Sequence, residues 1–177
     1  MTFTSLVAWS VGFAAGILLW AKLARLDLGF RTPSFDGVWE WIGYFVLWSA
    51  AGWGVTSAQD SGAVEDLPEW MLQLTLAQAF VLFVLLGPLI EELLLRGALF
   101  SALFRRWGPA AAVLVPSLML GLLYLTGDFW FAATSAGAAV ILAVIRWRSG
   151  SIWIPLALQT ALSLVLILGS MLYGSDA

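Results

Sequence analysis

The sequence contains no cysteine and no histidine among its 177 residues. Without cysteine the chain can form no disulfide, no iron–sulfur cluster and no thiolate nucleophile. Without histidine it has no imidazole ligand for haem or zinc, and no side chain that titrates near neutral pH of its own accord. We therefore expect neither a metal nor a cofactor, and any acid–base chemistry must use other residues.

Charged residues are also scarce. They make up 11% of the chain, with 8 basic and 11 acidic side chains, whereas 62% of the residues are hydrophobic. Soluble domains are about 25% charged and about 45–50% apolar. A soluble chain of this length could not bury so much apolar surface, and so few basic residues form no stripe for nucleic acid. The composition therefore predicts an integral membrane protein that contacts membrane lipid and no nucleic acid.

Long apolar runs indicate transmembrane helices, since about 20 apolar residues cross the bilayer core. We expect an all-α, polytopic transmembrane helical bundle of six or seven spans, formed by a single membrane domain over residues 1–177. The predicted spans are 3–21, 38–55, 109–126, 129–147 and 152–173, together with the long run 70–104.

Basic residues between the predicted spans indicate the orientation, because cytoplasmic loops are enriched in lysine and arginine. Three loops carry them, at Lys22, Arg25 and Arg31, at Arg105 and Arg106, and at Arg146 and Arg148. We expect these loops to be cytoplasmic, with the acidic stretch 56–69 and both termini on the opposite side. The run 70–104 must then cross once, although a straight helix of that length would be about 52 Å long. We expect one crossing followed by a tilted or partly re-entrant helix after Gly87-Pro88.

Small residues recur at four-residue spacing, which lets helices approach closely in lipid. Examples are Gly12 with Gly16, Ser117 with Gly121, and Ala133 with Gly137. We expect these positions to pack helices within one chain rather than to form a dimer.

Three charges interrupt an apolar helix in the sequence GPLIEELLLRG, at Glu91, Glu92 and Arg96. Each costs about 2.5–3.5 kcal/mol at mid-membrane, so such residues usually face the bundle interior. Glu92 and Arg96 have the i,i+4 spacing of an ion pair, whereas Glu91 points about 100° away and has no local partner. Pro88 could start the helix and place its positive dipole end beside the carboxylates. A structural ion pair explains Glu92 and Arg96, and a functional site would explain Glu91; both interpretations stay open.

The pattern Glu91-Glu92-x-x-x-Arg96-Gly97 resembles the first motif of the CAAX protease and bacteriocin-processing (CPBP, or Abi) family of intramembrane endopeptidases. The resemblance covers about residues 80–165 and implies a CPBP-like bundle in a bacterial inner (plasma) membrane. The other two family motifs have lost their histidines. Where the second motif has Phe-x-x-x-His, this chain has Leu120 and Tyr124, and where the third has His-x-x-x-Asn, it has Gln159 and Ser163.

The resemblance implies a role for each matching position. Glu91 would be the base that activates water, supported by Glu92 and Arg96, and the oxyanion donors would be Gln159 and Ser163. Tyr124 occupies the place of a catalytic histidine, but a phenol is a poor base for water near neutral pH. Each lost acid–base partner costs about 10²–10⁴ in rate.

We therefore expect a degenerate, non-catalytic family member that binds other integral membrane proteins or lipid, as a subunit of a membrane assembly. The alternative is a glutamate-dependent intramembrane endopeptidase. A transporter is disfavoured, because the sequence shows no internal repeat and no pair of broken helices.

Overall fold

The structure is a computed structural model and describes residues 2–58, 70, 73–125 and 129–174. Throughout these ranges the chain is helical apart from short connections. The elements in chain order are α1 (Phe3–Leu23), α2 (Trp39–Ala58), α3 (Leu76–Ala79), π1 (Phe80–Leu86), α4 (Gly87–Glu92), π2 (Leu93–Leu99), α5 (Phe100–Tyr124), α6 (Phe129–Ser149) and α7 (Trp153–Gly174). Most of the acidic stretch 56–69 lies outside the described residues.

The apolar helices confirm a membrane protein of the all-α class. Three helical segments in the described ranges are long and apolar enough to cross a bilayer: Phe3–Leu23, the path Leu76–Tyr124, and Phe129–Ser149. Trp153–Gly169 is apolar but shorter. The total of six or seven spans stays a prediction.

The helix continues through Gly87-Pro88. The dihedral angles of Gly87 are helical (φ −57°, ψ −61°), and its N–H donates to the Leu82 carbonyl five residues earlier. A proline ring in an α-helix clashes with the carbonyl four residues back, and the wider turn of π1 relieves this contact. The expectation that a helix begins at Pro88, with its N-terminus beside the carboxylates, is therefore wrong. The tilted or partly re-entrant course after Gly87-Pro88 stays a prediction.

Helix α5 consists of two arms that join at a kink at Gly108. Gly108 has φ 81° and ψ −174°, a conformation that glycine adopts without steric cost, and Pro109 begins the second arm of α5. Leu103 and Ala112 belong to one buried cluster, although a straight helix would hold them about 13 Å apart. Both arms of α5 therefore contribute to one buried cluster with Ala143 of α6, and the second arm begins where the predicted span 109–126 starts.

The three basic loops meet at one end of the bundle. Arg105 Nη1 donates to the Ala24 carbonyl at 3.3 Å, and the Ile152 N–H donates to the Gly29 carbonyl at 3.0 Å. The loop after α1, the corner within α5 and the loop before α7 therefore share one end. We call this the basic end; its cytoplasmic location stays a prediction.

Close helix packing occurs at two of the predicted small-residue pairs. A Cβ added at Gly137 would overlap the Trp48 indole, and one added at Gly121 would lie 2.9 Å from the Ala136 Cβ. By contrast, a Cβ added at Gly12 or Gly16 would meet no atom within 4 Å. The expectation of close packing at Gly12 and Gly16 is therefore wrong for the described residues, while Gly137 and Gly121 join α6 to α2 and α5.

Candidate intramembrane site

A cavity of about 200 Å³ lies among four parts of the bundle: α2, the α4–π2 segment, the second arm of α5, and the pair α6 and α7. Its wall is mostly apolar. Four of the six predicted site residues line it: Glu91, Arg96, Tyr124 and Gln159. The fold thus gathers positions from all three motif regions into one space.

Arg96 is the centre of the charged cluster. Its Nη1 donates a hydrogen bond to Glu91 Oε1 at 3.1 Å and lies 2.9 Å from Glu92 Oε1. Its Nη2 donates to the Ala139 carbonyl on α6 at 3.4 Å. The guanidinium is only 2% exposed, so one buried cation connects two carboxylates on its own helix to a neighbouring helix.

The contact between Glu91 and Arg96 corrects the expectation that Glu91 has no local partner. In an α-helix, residues five apart point about 140° away from each other. Arg96 lies in π2, where the Phe100 N–H reaches the Leu95 carbonyl five residues back, and such wider turns bring residues five apart towards one face. The expectation failed because it assumed α-helical geometry beyond Glu92.

The two glutamates have different surroundings. Glu92 is completely buried and does not line the cavity. No described residue donates a well-aligned hydrogen bond to either of its oxygens, although Arg96 is close by. The Glu91 side chain is 22% exposed and lines the cavity. Glu91 is therefore the carboxylate that a molecule in the cavity would meet, and Glu92 is a buried counter-charge for Arg96.

Three of the four residues at the second and third motif positions line the cavity, and one does not. Leu120 and Tyr124, one turn apart on α5, both line the cavity, and Tyr124 makes an edge-to-face contact with Phe131 at 5.1 Å between ring centroids. Gln159 also lines the cavity, whereas Ser163 on the next turn of α7 does not. Of the two predicted oxyanion donors, only the Gln159 amide thus faces this space.

Sequence reasoning missed the contribution of α2. Trp48 and Ser49 line the cavity, and the Trp48 indole N–H donates to the Thr134 carbonyl at 2.8 Å. The Ser49 hydroxyl accepts and donates no hydrogen bond within the described part of the chain. These residues precede the motif region by about 40 positions, and no pattern in the sequence connects them with the charged motif.

Few of the described side chains that line the cavity can take part in proton transfer. Among the described residues that line it, Glu91 is the only carboxylate, Tyr124 supplies a phenol and Gln159 supplies an amide. Within the described ranges, no three acidic side chains gather into a group that could hold a metal ion. The arrangement suits a mainly apolar ligand that is oriented by a few polar groups.

Comparison with known proteins gives one match. A family model described as type II CAAX prenyl endopeptidase Rce1-like matches residues 72–165, a little more than half of the chain. No curated protein and no solved structure matches the chain. The matched segment contains every predicted site residue, from Glu91 to Ser163, and nearly coincides with the region of the CPBP resemblance. The chain therefore belongs to the type II CAAX prenyl endopeptidase Rce1-like family and is a CPBP-type, membrane protease-like protein.

Proposed function

We propose that this protein is a non-catalytic member of its family, and that its intramembrane cavity binds an apolar segment of another integral membrane protein. The observation that carries the proposal is the setting of Glu91. Its Oε1 is held by Arg96 at 3.1 Å, and the motif position that would hold a histidine opposite it is Tyr124. No histidine exists anywhere in the chain to take that place.

Proteolysis needs a base that activates water and an acid that protonates the leaving amine. In this cavity the base would be Glu91, because a guanidinium and an amide transfer no proton near neutral pH and the Tyr124 phenol is a poor base for water. The missing histidines therefore remove the usual second group. The cluster keeps a structural purpose, since Arg96 still connects its own helix to the Ala139 carbonyl on α6.

The shape and lining of the cavity favour an apolar anchor. Trp48, Leu120, Phe131 and Leu142 are among its walls. Its volume of about 200 Å³ is below the roughly 300–1,000 Å³ of pockets that enclose whole small molecules. A side chain from a partner helix fits such a space better than an extended peptide substrate does.

A larger side chain inside the cavity should strongly weaken partner binding. Ala138 lines the cavity, whereas Ala157 on α7 is exposed and does not. Ala138→Phe should reduce the recovery of the bound membrane protein about tenfold or more, because overpacking an occupied space costs about 1–3 kcal/mol. Ala157→Phe adds the same volume on the outer surface and should leave recovery unchanged.

The measurement is purification in mild detergent, followed by quantitative mass spectrometry of the proteins that co-purify. Thermal midpoints of both variants establish that they are folded. Equal recovery with Ala138→Phe and Ala157→Phe would remove the cavity as the binding site.

The second candidate function is a glutamate-dependent endopeptidase. One observation favours it: Glu91, Tyr124 and Gln159 face the same cavity, so a base, a hydrogen-bond donor and an oxyanion donor are available together. The description of the matching family contains the words CAAX prenyl endopeptidase, so a prenylated CAAX peptide is the appropriate probe.

Glu91→Gln separates the two candidates. The amide keeps the shape of the side chain but cannot act as a general base. In liposomes with a peptide that ends in a prenylated cysteine and three further residues, we expect no cleavage by the native chain above the Glu91→Gln level. We also expect Glu91→Gln to retain partner recovery. A cleavage product that depends on Glu91 would establish the endopeptidase and refute the non-catalytic proposal.

A further inference from the structure

A second cavity, of about 410 Å³, opens at the basic end of the bundle and is separate from the intramembrane cavity. Four arginines line it, and they come from the loop after α1, the first arm of α5 and the end of α6. They are Arg25, Arg31, Arg105 and Arg146.

One carboxylate faces these four cations. Asp27 Oδ2 lies 2.6 Å from Arg31, and Asp27 Oδ1 accepts the Gly29 N–H at 3.0 Å. Both Asp27 oxygens therefore have a partner, and this single charge faces four arginines. Among the described residues, no carboxylate lies within ion-pair distance of Arg25, Arg105 or Arg146. The cavity thus has a surplus of positive charge that the described chain does not neutralise.

The burial of Arg146 distinguishes this cavity from an ordinary solvent-exposed basic surface. Its side chain is 5% exposed, and it donates to the Arg96 carbonyl at 3.2 Å and to the Asp27 carbonyl at 3.4 Å. These carbonyls orient the guanidinium but carry no full negative charge. Asp27 also attracts Arg146, but it forms its ion pair with Arg31. A buried cation whose only described counter-charge is shared in this way is destabilising, so the site favours an anion. The preference of cytoplasmic loops for basic residues explains exposed arginines but not a buried one.

The apolar part of the wall identifies the kind of anion. Phe104 and Trp147 line the cavity and are exposed on the outside of the bundle, and tryptophan is typical of the membrane interface. A free phosphate would use the arginines and leave this apolar wall unused. A phospholipid would use both, with its phosphate at the arginines and its glycerol and acyl chains along Phe104 and Trp147.

We propose that this cavity is a binding site for the phosphate group of an anionic phospholipid. Basic pockets between transmembrane helices bind anionic headgroups in this way. The site is independent of the proposed function, because it shares no lining residue with the intramembrane cavity. A lipid there would hold the three basic loops together.

The test uses Arg25→Gln and Arg105→Gln, with Arg106→Gln as the matched control. Arg105 lines the cavity, whereas its neighbour Arg106 lies over the Trp107 ring at 5.5 Å and does not. Arg146→Gln is less suitable, since Arg146 also holds backbone carbonyls in the core. Each variant removes one positive charge from the same end of the bundle.

Native mass spectrometry of the purified chain would measure binding of phosphatidylglycerol, phosphatidylcholine and inorganic phosphate. We expect the wild-type chain to prefer phosphatidylglycerol. Arg25→Gln and Arg105→Gln should each weaken that binding about fivefold, the usual worth of one basic residue at an anionic membrane surface, and Arg106→Gln should match the wild type.

Three results would overturn the proposal. Equal weakening by Arg106→Gln would mean diffuse attraction to the basic end rather than a site. Equal binding of phosphatidylglycerol and phosphatidylcholine would refute the preference for an anionic phospholipid. Displacement of phosphatidylglycerol by inorganic phosphate at equal concentration would make free phosphate the ligand.

Discussion

Replacing Arg96 with methionine should lower the free energy of unfolding by about 3–5 kcal/mol, the usual cost of breaking a buried ion pair from one side. The variant would leave Glu92 completely buried without a cation, and Glu91 would lose its hydrogen bond. In a chain of this size the thermal midpoint in detergent should fall by about 10 °C.

The double variant Glu92→Gln with Arg96→Met should recover most of this loss. It removes the buried charge together with its partner, and the remaining carboxylate, Glu91, can be hydrated through the cavity. Arg106→Met is the control, because Arg106 is exposed and outside both cavities, and its effect should stay within about 0.5 kcal/mol. If Arg96→Met and the double variant have the same midpoint, the buried pairing of Glu92 with Arg96 is refuted.

Gly137→Ala should give the second large effect, a destabilisation of about 1–3 kcal/mol from overpacking. The added methyl group would overlap the Trp48 indole. The ring is held by its hydrogen bond to the Thr134 carbonyl at 2.8 Å, so it cannot move away without losing that bond or separating α2 from α6.

Gly16→Ala provides a matched control for this prediction. Gly16 is also a helical glycine, but a Cβ there meets no atom within 4 Å. Alanine is favoured over glycine in a helix by up to about 1 kcal/mol, so Gly16→Ala should be neutral or stabilising. Thermal midpoints of the two variants in one detergent make the comparison. If both variants behaved alike, the close contact between Gly137 and Trp48 would be refuted.

The positions of the helices could be predicted closely from the sequence. The predicted spans 3–21 and 129–147 correspond to Phe3–Leu23 and Phe129–Ser149, because the thickness of the bilayer sets the length of an apolar run. The start of a new helical arm at Pro109 was also predicted from the sequence. The continuation of the helix through Gly87-Pro88 could not be predicted, because a π-helical turn can accommodate proline and leaves no sign in the apolar pattern.

The candidate site could be predicted only in part. The i,i+4 contact of Glu92 with Arg96 follows from helix geometry alone, and it is present at 2.9 Å. The hydrogen bond to Glu91 depends on π2, and the contribution of Trp48 depends on how α2 packs against α6. The basic residues predicted that the three loops share one end, but gave no sign of a cavity between them. That cavity is made by contacts between residues 74 to 119 positions apart.

During synthesis, the loop between α1 and α2 is made long before the residues that form hydrogen bonds with it. The Ser34 N–H binds the Ser149 carbonyl, and the Arg31 carbonyl accepts from the Ser151 hydroxyl 120 residues later. Because chains are made from the N-terminus onwards, α1 and α2 must first persist as separate helices in the lipid and join the later helices afterwards. A chain released before residue 149 would display this loop with unpaired backbone groups, and such exposed segments are the ones that proteases cut first.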